Sequence, residues 1–112
     1  MRPIVKAIIS PDVERTGVPE DPANCSVAVE VEIGPGDGDG ADIFSFLVVT
    51  PSKLAGAGSR WGRGLLVLDE FSWDSVDAAL TKLLDHCEGS NWSEIASQLN
   101  KELHWEFESY RK

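Results

Sequence analysis

The sequence predicts an α+β fold: a four-stranded, mainly antiparallel sheet in a meander, followed by two C-terminal helices packed on one of its faces. Three observations lead there. In "CSVAVEVEI" (residues 25–33), Val27, Val29, Val31 and Ile33 alternate with Ala28, Glu30 and Glu32, the period of two of a strand with one buried and one wet face. In "WDSVDAALTKLLDHCEG" (73–89) the period changes. Val76, Ala79, Leu80, Leu83, Leu84 and Cys87 recur at i, i+3, i+4, i+7, i+8 and i+11, one face of a helix. The strand-like segments all precede the helical ones, and short connections favour antiparallel neighbours. With 112 residues and no internal repeat, residues 1–112 form a single domain. A chain of that length buries roughly two-thirds of its unfolded surface, enough for one core without metals or disulfides.

The elements follow in order. "PIVKAII" (3–9) is a first, weaker strand. "SPDVERTGVPEDPAN" (10–24) carries three prolines, a glycine and five charged residues and reads as a long loop. The alternating strand comes next. "GPGDGDGAD" (34–42) has four glycines in nine residues, too free a backbone for a regular element, and is read as a turn. "ADIFSFLVVT" (41–50) is apolar on both faces, as expected of a central strand whose second face is also covered. "PSKLAGAGSRWGRG" (51–64) is a loop with a short helical turn at its start, and "LLVLDEF" (65–71) is the fourth strand. Ser72 or Asp74 caps the first helix and Gly89 stops it. The second helix spans "SNWSEIASQLNKEL" (90–103), with Ser90, Asn91 or Ser93 as its cap and Trp92, Ile95, Ala96, Leu99 and Leu103 as its apolar stripe.

The chain closes on "LHWEFESYRK", where Trp105, Phe107 and Tyr110 are interleaved with Glu106 and Glu108. A continued helix places Leu99, Leu103, Phe107 and Tyr110 on one face. A chain that turns extended at His104 places Trp105 and Phe107 on one side, Glu106 and Glu108 on the other. Three aromatics favour the extended form by propensity, and both forms remain open. Either way the rings anchor the terminus, at roughly 1.5–3 kcal/mol for each one fully buried.

The net charge is -9, from 19 acidic and 10 basic residues. From Gly64 to Tyr110 ten acids face only Lys82 and Lys101, whereas Lys53, Arg60 and Arg63 lie in 51–63 without an acid. Nucleic acid is therefore excluded as a direct partner, since phosphate binding needs a basic footprint; a basic protein fits. No stretch approaches the ~18–20 apolar residues of a membrane span. "MRPIVKAIIS" lacks a small-residue cleavage site and reads as a strand, not a signal peptide. The expected location is the cytoplasm, with Cys25 and Cys87 as free, buried thiols.

Catalytic and metal patterns fail on spacing. An EF-hand loop starting at Asp37 puts Ala41 at position 5, Asp42 at 6 and Val48 at 12, where oxygen, glycine and a bidentate Glu are required. Cys25, His86, Cys87 and His104 do not match a zinc spacing. No serine lies in a nucleophile elbow, and "GPGDGDG" has no Lys and precedes no helix. The expectation is a non-enzyme without cofactor or metal. Trp92 belongs to the core and Trp73 to the strand–helix junction. Trp61, between Arg60 and Arg63, is either a lid on the sheet or an exposed anchor for a partner, since Trp and Arg dominate interface hot spots.

"FSFLVVTPSKL", "GLLVLDEFSWDSVDAALTKLL" and "GSNWSEIASQLNKELHWEFESY" resemble the immunity protein 8 family over about residues 44–110. The most specific pieces are the Phe44-x-Phe46-x-Val48-x-Thr50-Pro51 strand end, "GSNWSEI" and the closing "WEFESY". The resemblance implies a bacterial protein encoded beside a polymorphic or contact-dependent growth inhibition toxin, which binds and neutralises its cognate toxin domain. The expected toxin is a basic nuclease, blocked by acids that stand in for the phosphates of its substrate. The alternative is a small acidic adaptor or regulatory module without a toxin partner. Asp69, Glu70, Asp74, Glu106 and Glu108 are the expected contacts, on well-anchored elements that suit preorganised binding, with Trp61 as apolar anchor. Asp37, Asp39 and Asp42 are secondary, because ordering a glycine-rich turn costs conformational entropy.

Overall fold

A computed structural model describes residues 1–56 and 63–106. The strands are β1 (Pro3–Ile9), β2 (Ser26–Pro35), β3 (Asp42–Val49), β4 (Leu65–Val67) and β5 (His104–Trp105); the helices are α1 (Pro51–Ala55), α2 (Trp73–Asp85) and α3 (Trp92–Leu99). The α+β expectation holds, with the sheet ordered β1-β2-β3-β4 and β5 added to β3. No helix among the described residues is long and apolar enough to cross a membrane.

The alternation in β2 sets the sheet's inner face. Val27, Val29, Val31 and Ile33 are buried, and their partners on β3 include Phe44, Phe46 and Val48. Val76, Leu80 and Leu84 of α2 and Ile95, Ala96 and Leu99 of α3 pack against this face. Both helices are capped as their sequences suggest: Ser72 Oγ accepts from Ser75 N–H at 3.1 Å and Asn91 Oδ1 from Glu94 N–H at 3.0 Å. Helix α2 stops at Asp85, with His86 as its C-cap, three residues before the expected glycine. Gly34 and Pro35, expected in a turn, extend β2 instead. A Cβ on Gly34 would collide with the Gly40 carbonyl oxygen, so glycine here serves a close hairpin approach and not backbone freedom.

Two departures concern β3. The meander breaks after it, because β3 and β4 run parallel, Leu47 opposite Leu65 and Val49 opposite Val67. The connection runs from residue 50 to 64 and includes α1, long enough for the crossover that parallel strands need. Thr50 starts it from a buried position: its Oγ1 accepts from Cys25 N–H at 3.0 Å and its own N–H donates to Cys25 O at 3.1 Å. The other departure is that, among the described residues, the second face of β3 is covered only in part, with Val49 buried at its C-terminal end. Ile43 is exposed and Ser45 and Leu47 are half-buried.

The terminal segment resolves to the extended form, for two residues. Trp105 pairs with Phe44 and His104 with Ser45, antiparallel. Trp105 is buried and its ring stacks on Phe44 at 6.2 Å between centroids. Asn100, just past α3, holds the bend that makes this possible: its Oδ1 accepts from Trp105 N–H at 3.0 Å and from Arg63 Nη2 at 2.5 Å. Phe107, Glu108 and Tyr110 lie outside the described residues. Replacing Trp105→Ala leaves a large void beside Phe44 and is expected to cost about 3–5 kcal/mol, measured by denaturant titration. A midpoint unchanged from wild type would show that the ring adds nothing to the core.

Gly64 joins the two segments that flank β3. Its φ is 75°, its N–H donates to Glu102 O at 2.8 Å, and its carbonyl accepts from Leu47 N–H at 2.8 Å. A Cβ there would overlap the His104 ring. Gly64→Ala combines left-handed strain with that collision and is expected to destabilise by about 1–3 kcal/mol. Gly56→Ala, on an exposed helix end with φ of -80°, serves as the comparison and should change stability little.

Candidate functional site

The expected contact acids sit on two ends of the sheet. Leu68 N–H donates to Val49 O at 3.1 Å, so Asp69 and Glu70 follow from the C-terminal end of β3. Both are exposed, as is Asp74 in the first turn of α2. Glu106 follows Trp105, opposite Phe44, and is exposed. Five residues of strand separate Phe44 from Val49, roughly 17 Å at 3.3–3.4 Å per residue. Glu106 thus shares its end of the sheet with the β2–β3 hairpin, where Asp37 and Asp39 are exposed. Asp42 is half-buried and accepts a hydrogen bond from Trp92 Nε1 at 2.6 Å, a structural duty. Trp61 and Glu108 lie outside the described residues.

The junction carrying Asp69, Glu70 and Asp74 is held from behind by the proline-rich loop. Phe71 N–H donates to Pro22 O and Trp73 Nε1 to Glu14 O, both at 2.8 Å. Arg15 pairs with both carboxylate oxygens of Asp77, at 3.1 and 3.0 Å, while its guanidinium lies 4.6 Å from the centre of the Trp73 ring. Phe71 and Trp73 meet edge to face at 5.3 Å. The exposed ion pair adds little by itself, but the combined contacts fix the loop and the helix start together. Among the described residues, Asp69, Glu70, Asp74 and Glu106 make no ion pair and no side-chain hydrogen bond.

A third acidic feature, absent from the expected set, lies on the outer face of the sheet. Glu30 and Glu32 of β2 point away from the helices, opposite Ser45 and Ile43 of β3. Both are exposed, and neither has an ion pair or side-chain hydrogen bond among the described residues. Beside Glu30 the face is hollowed into a groove of about 540 Å³, lined by Ile9, Ala28, Leu47, Leu65, Arg63 and His104 among others. The alternation in "CSVAVEVEI" already placed both glutamates on the wet side. What it lacked was any sign that, among the described residues, no second layer covers that side.

Cys25 and Cys87 are buried thiols that donate weakly to the carbonyls of Pro22 and Leu83, at 3.5 and 3.4 Å. Burial pushes both pKa values up, and Asp21 adds to the rise at Cys25. Since the thiolate is the reactive form, both should react with a disulfide reagent at pH 8 much more slowly than a small thiol does. Two equivalents per chain should be titrated once the protein is unfolded. Rapid labelling of either cysteine in the native protein would contradict the burial.

The family model of immunity protein 8 matches residues 5–110 of the chain. No curated protein and no solved structure matches it.

Proposed function

The chain belongs to the immunity protein 8 family, and from that premise we propose that it binds a cognate toxin domain in the cytoplasm and occludes the site where the toxin meets its substrate. The toxin in this reading is a basic nuclease. Carboxylates held on rigid elements occupy the positions of substrate phosphates, and the opposite charges steer the encounter. No bond is made or broken by the immunity protein; it acts by occupancy alone.

Family membership carries this reading, and the state of the acids supports it. Among the described residues, Asp69, Glu70 and Asp74 stand unpaired on a junction fixed by the proline-rich loop, and Glu106 follows a strand anchored by a buried tryptophan. Such preorganisation lowers the ordering cost of association. Glu108 and Trp61 complete the proposed set, with Asp37 and Asp39 as the flexible reserve.

Cells carrying the toxin domain encoded beside this gene should survive when the wild-type chain is co-expressed. Asp69→Lys, Glu70→Lys, Asp74→Lys and Glu106→Lys, each verified as folded by its thermal melt, should raise the dissociation constant by about tenfold or more where the acid is a contact. Wild-type chain that neither binds nor protects would end the immunity reading. Full protection by all four variants would remove these acids from the interface.

A further inference from the structure

We infer that the toxin docks on the open outer face of the sheet, with Glu30 and Glu32 receiving a Lys or Arg side chain and the exposed aliphatic residues around them receiving apolar neighbours of that cation. The inference rests on the immunity reading and assigns its surface.

The face is unusual for a solvated one. Ile9, Val67, Ile4 and Ile43 are 58, 48, 46 and 36% exposed, and strand register places all four on the same side as Glu30 and Glu32. They account for most of the exposed large hydrophobic residues among the described ones. They are interspersed with Glu30 and Glu32 around the groove, so the face offers apolar and acidic contacts together. The concavity between β1, β2, β3 and β4 is formed by paired strands, so it exists before any partner arrives.

Charge selects the occupant. Two carboxylates without a partner among the described residues lie on β2, while Arg63 and His104 also line the groove. Arg63 is held there by Asn100. An anionic ligand would meet the glutamates, and a second copy stacked with its own Glu30 and Glu32 over these would bring four carboxylates together in a desolvated space, which like-charge repulsion opposes. A cationic side chain seated beside Glu30 and Glu32, on the side of the groove away from Arg63, meets neither obstacle. Attachment by strand addition to the free edge of β1 is also disfavoured. Pro3 has no N–H to donate, and the register shift between Val5 and Ala7 bends the edge. The face, and not the edge, is therefore the docking element. It also lies between the junction acids at one end of β3 and Glu106 at the other, within the span of one interface of ordinary size, about 800 Å² per partner.

The test is a calorimetric titration of the purified neighbouring toxin domain with full-length chain. The variants are Glu30→Lys, Glu32→Lys, the double variant and Ile9→Ser. Asp85→Lys, which makes the same charge change on the exposed last turn of α2, is the comparison. All substituted side chains are exposed, and melting temperatures verify folding. Each glutamate variant should weaken binding by about tenfold, the double variant by about a hundredfold, and Asp85→Lys by no more than about threefold. Binding by the double variant equal to that of Asp85→Lys would overturn the assignment while leaving the immunity reading intact. Absence of wild-type binding would overturn both. Self-association of the wild type that the double variant abolishes would assign the face to a second copy and overturn the inference as well.

Discussion

The second edge of β3 is filled by two segments distant in sequence, and Gly64 is the joint between them. One edge of β3 is occupied along its whole length by β2. On the other, β5 pairs at Phe44 and Ser45, Gly64 accepts from Leu47 N–H, and β4 continues from Leu47 to Val49. An unpaired buried N–H or carbonyl costs about 1–3 kcal/mol, so a central strand needs this edge closed. The joint works only because residue 64 takes a positive φ and leaves room for the His104 ring. Gly64 also reaches Glu102 through its N–H. The two shortest strands, β4 and β5, are thus locked to the same backbone unit.

That lock explains how large aromatic residues persist near a terminus, which ordinarily frays. Trp105 is held by its pairing with Phe44, by ring stacking and by Asn100. The acid that follows it, Glu106, is consequently presented from a fixed strand. At the opposite end of the sheet, the proline-rich loop does the same for Asp69, Glu70 and Asp74, through backbone bonds at Phe71 and Trp73 and the contacts of Arg15. Rigid presentation of acids at both ends has a common origin: Glu70, Asp74 and Glu106 each adjoin a buried aromatic whose own position is over-determined.

The two longer helices, α2 and α3, pack on the same face of the sheet. Its inner face supplies the core with Val27, Val29, Val31, Ile33, Phe44, Phe46 and Val48. Its outer face combines aliphatic residues with two glutamates, a composition that neither a second core nor plain solvation requires. A sheet of this kind separates the two tasks physically. Residues of one parity supply the core, and Glu30, Glu32 and Ile43 of the other parity are exposed.

The sequence by itself determined the elements whose signal is local. The period of two in β2 and the period of 3.6 in α2 arise from the backbone repeat of each element, and Ser72 and Asn91 cap helices through bonds to residues three positions away. The acidity of the C-terminal half and the family resemblance over residues 44–110 were likewise legible. Tertiary structure alone decided the rest. The parallel pairing of β4, the extended turn of His104 and Trp105, and the extension of β2 through Gly34 and Pro35 all depend on partners many residues away. It also decided that Asp42 serves Trp92, that Asp69 and Glu106 fall at opposite ends of β3, and that Glu30 and Glu32 face no covering layer among the described residues. Alternation along a strand records which side chains share a face, but only the packing of other elements determines whether that face meets helices, water or a partner.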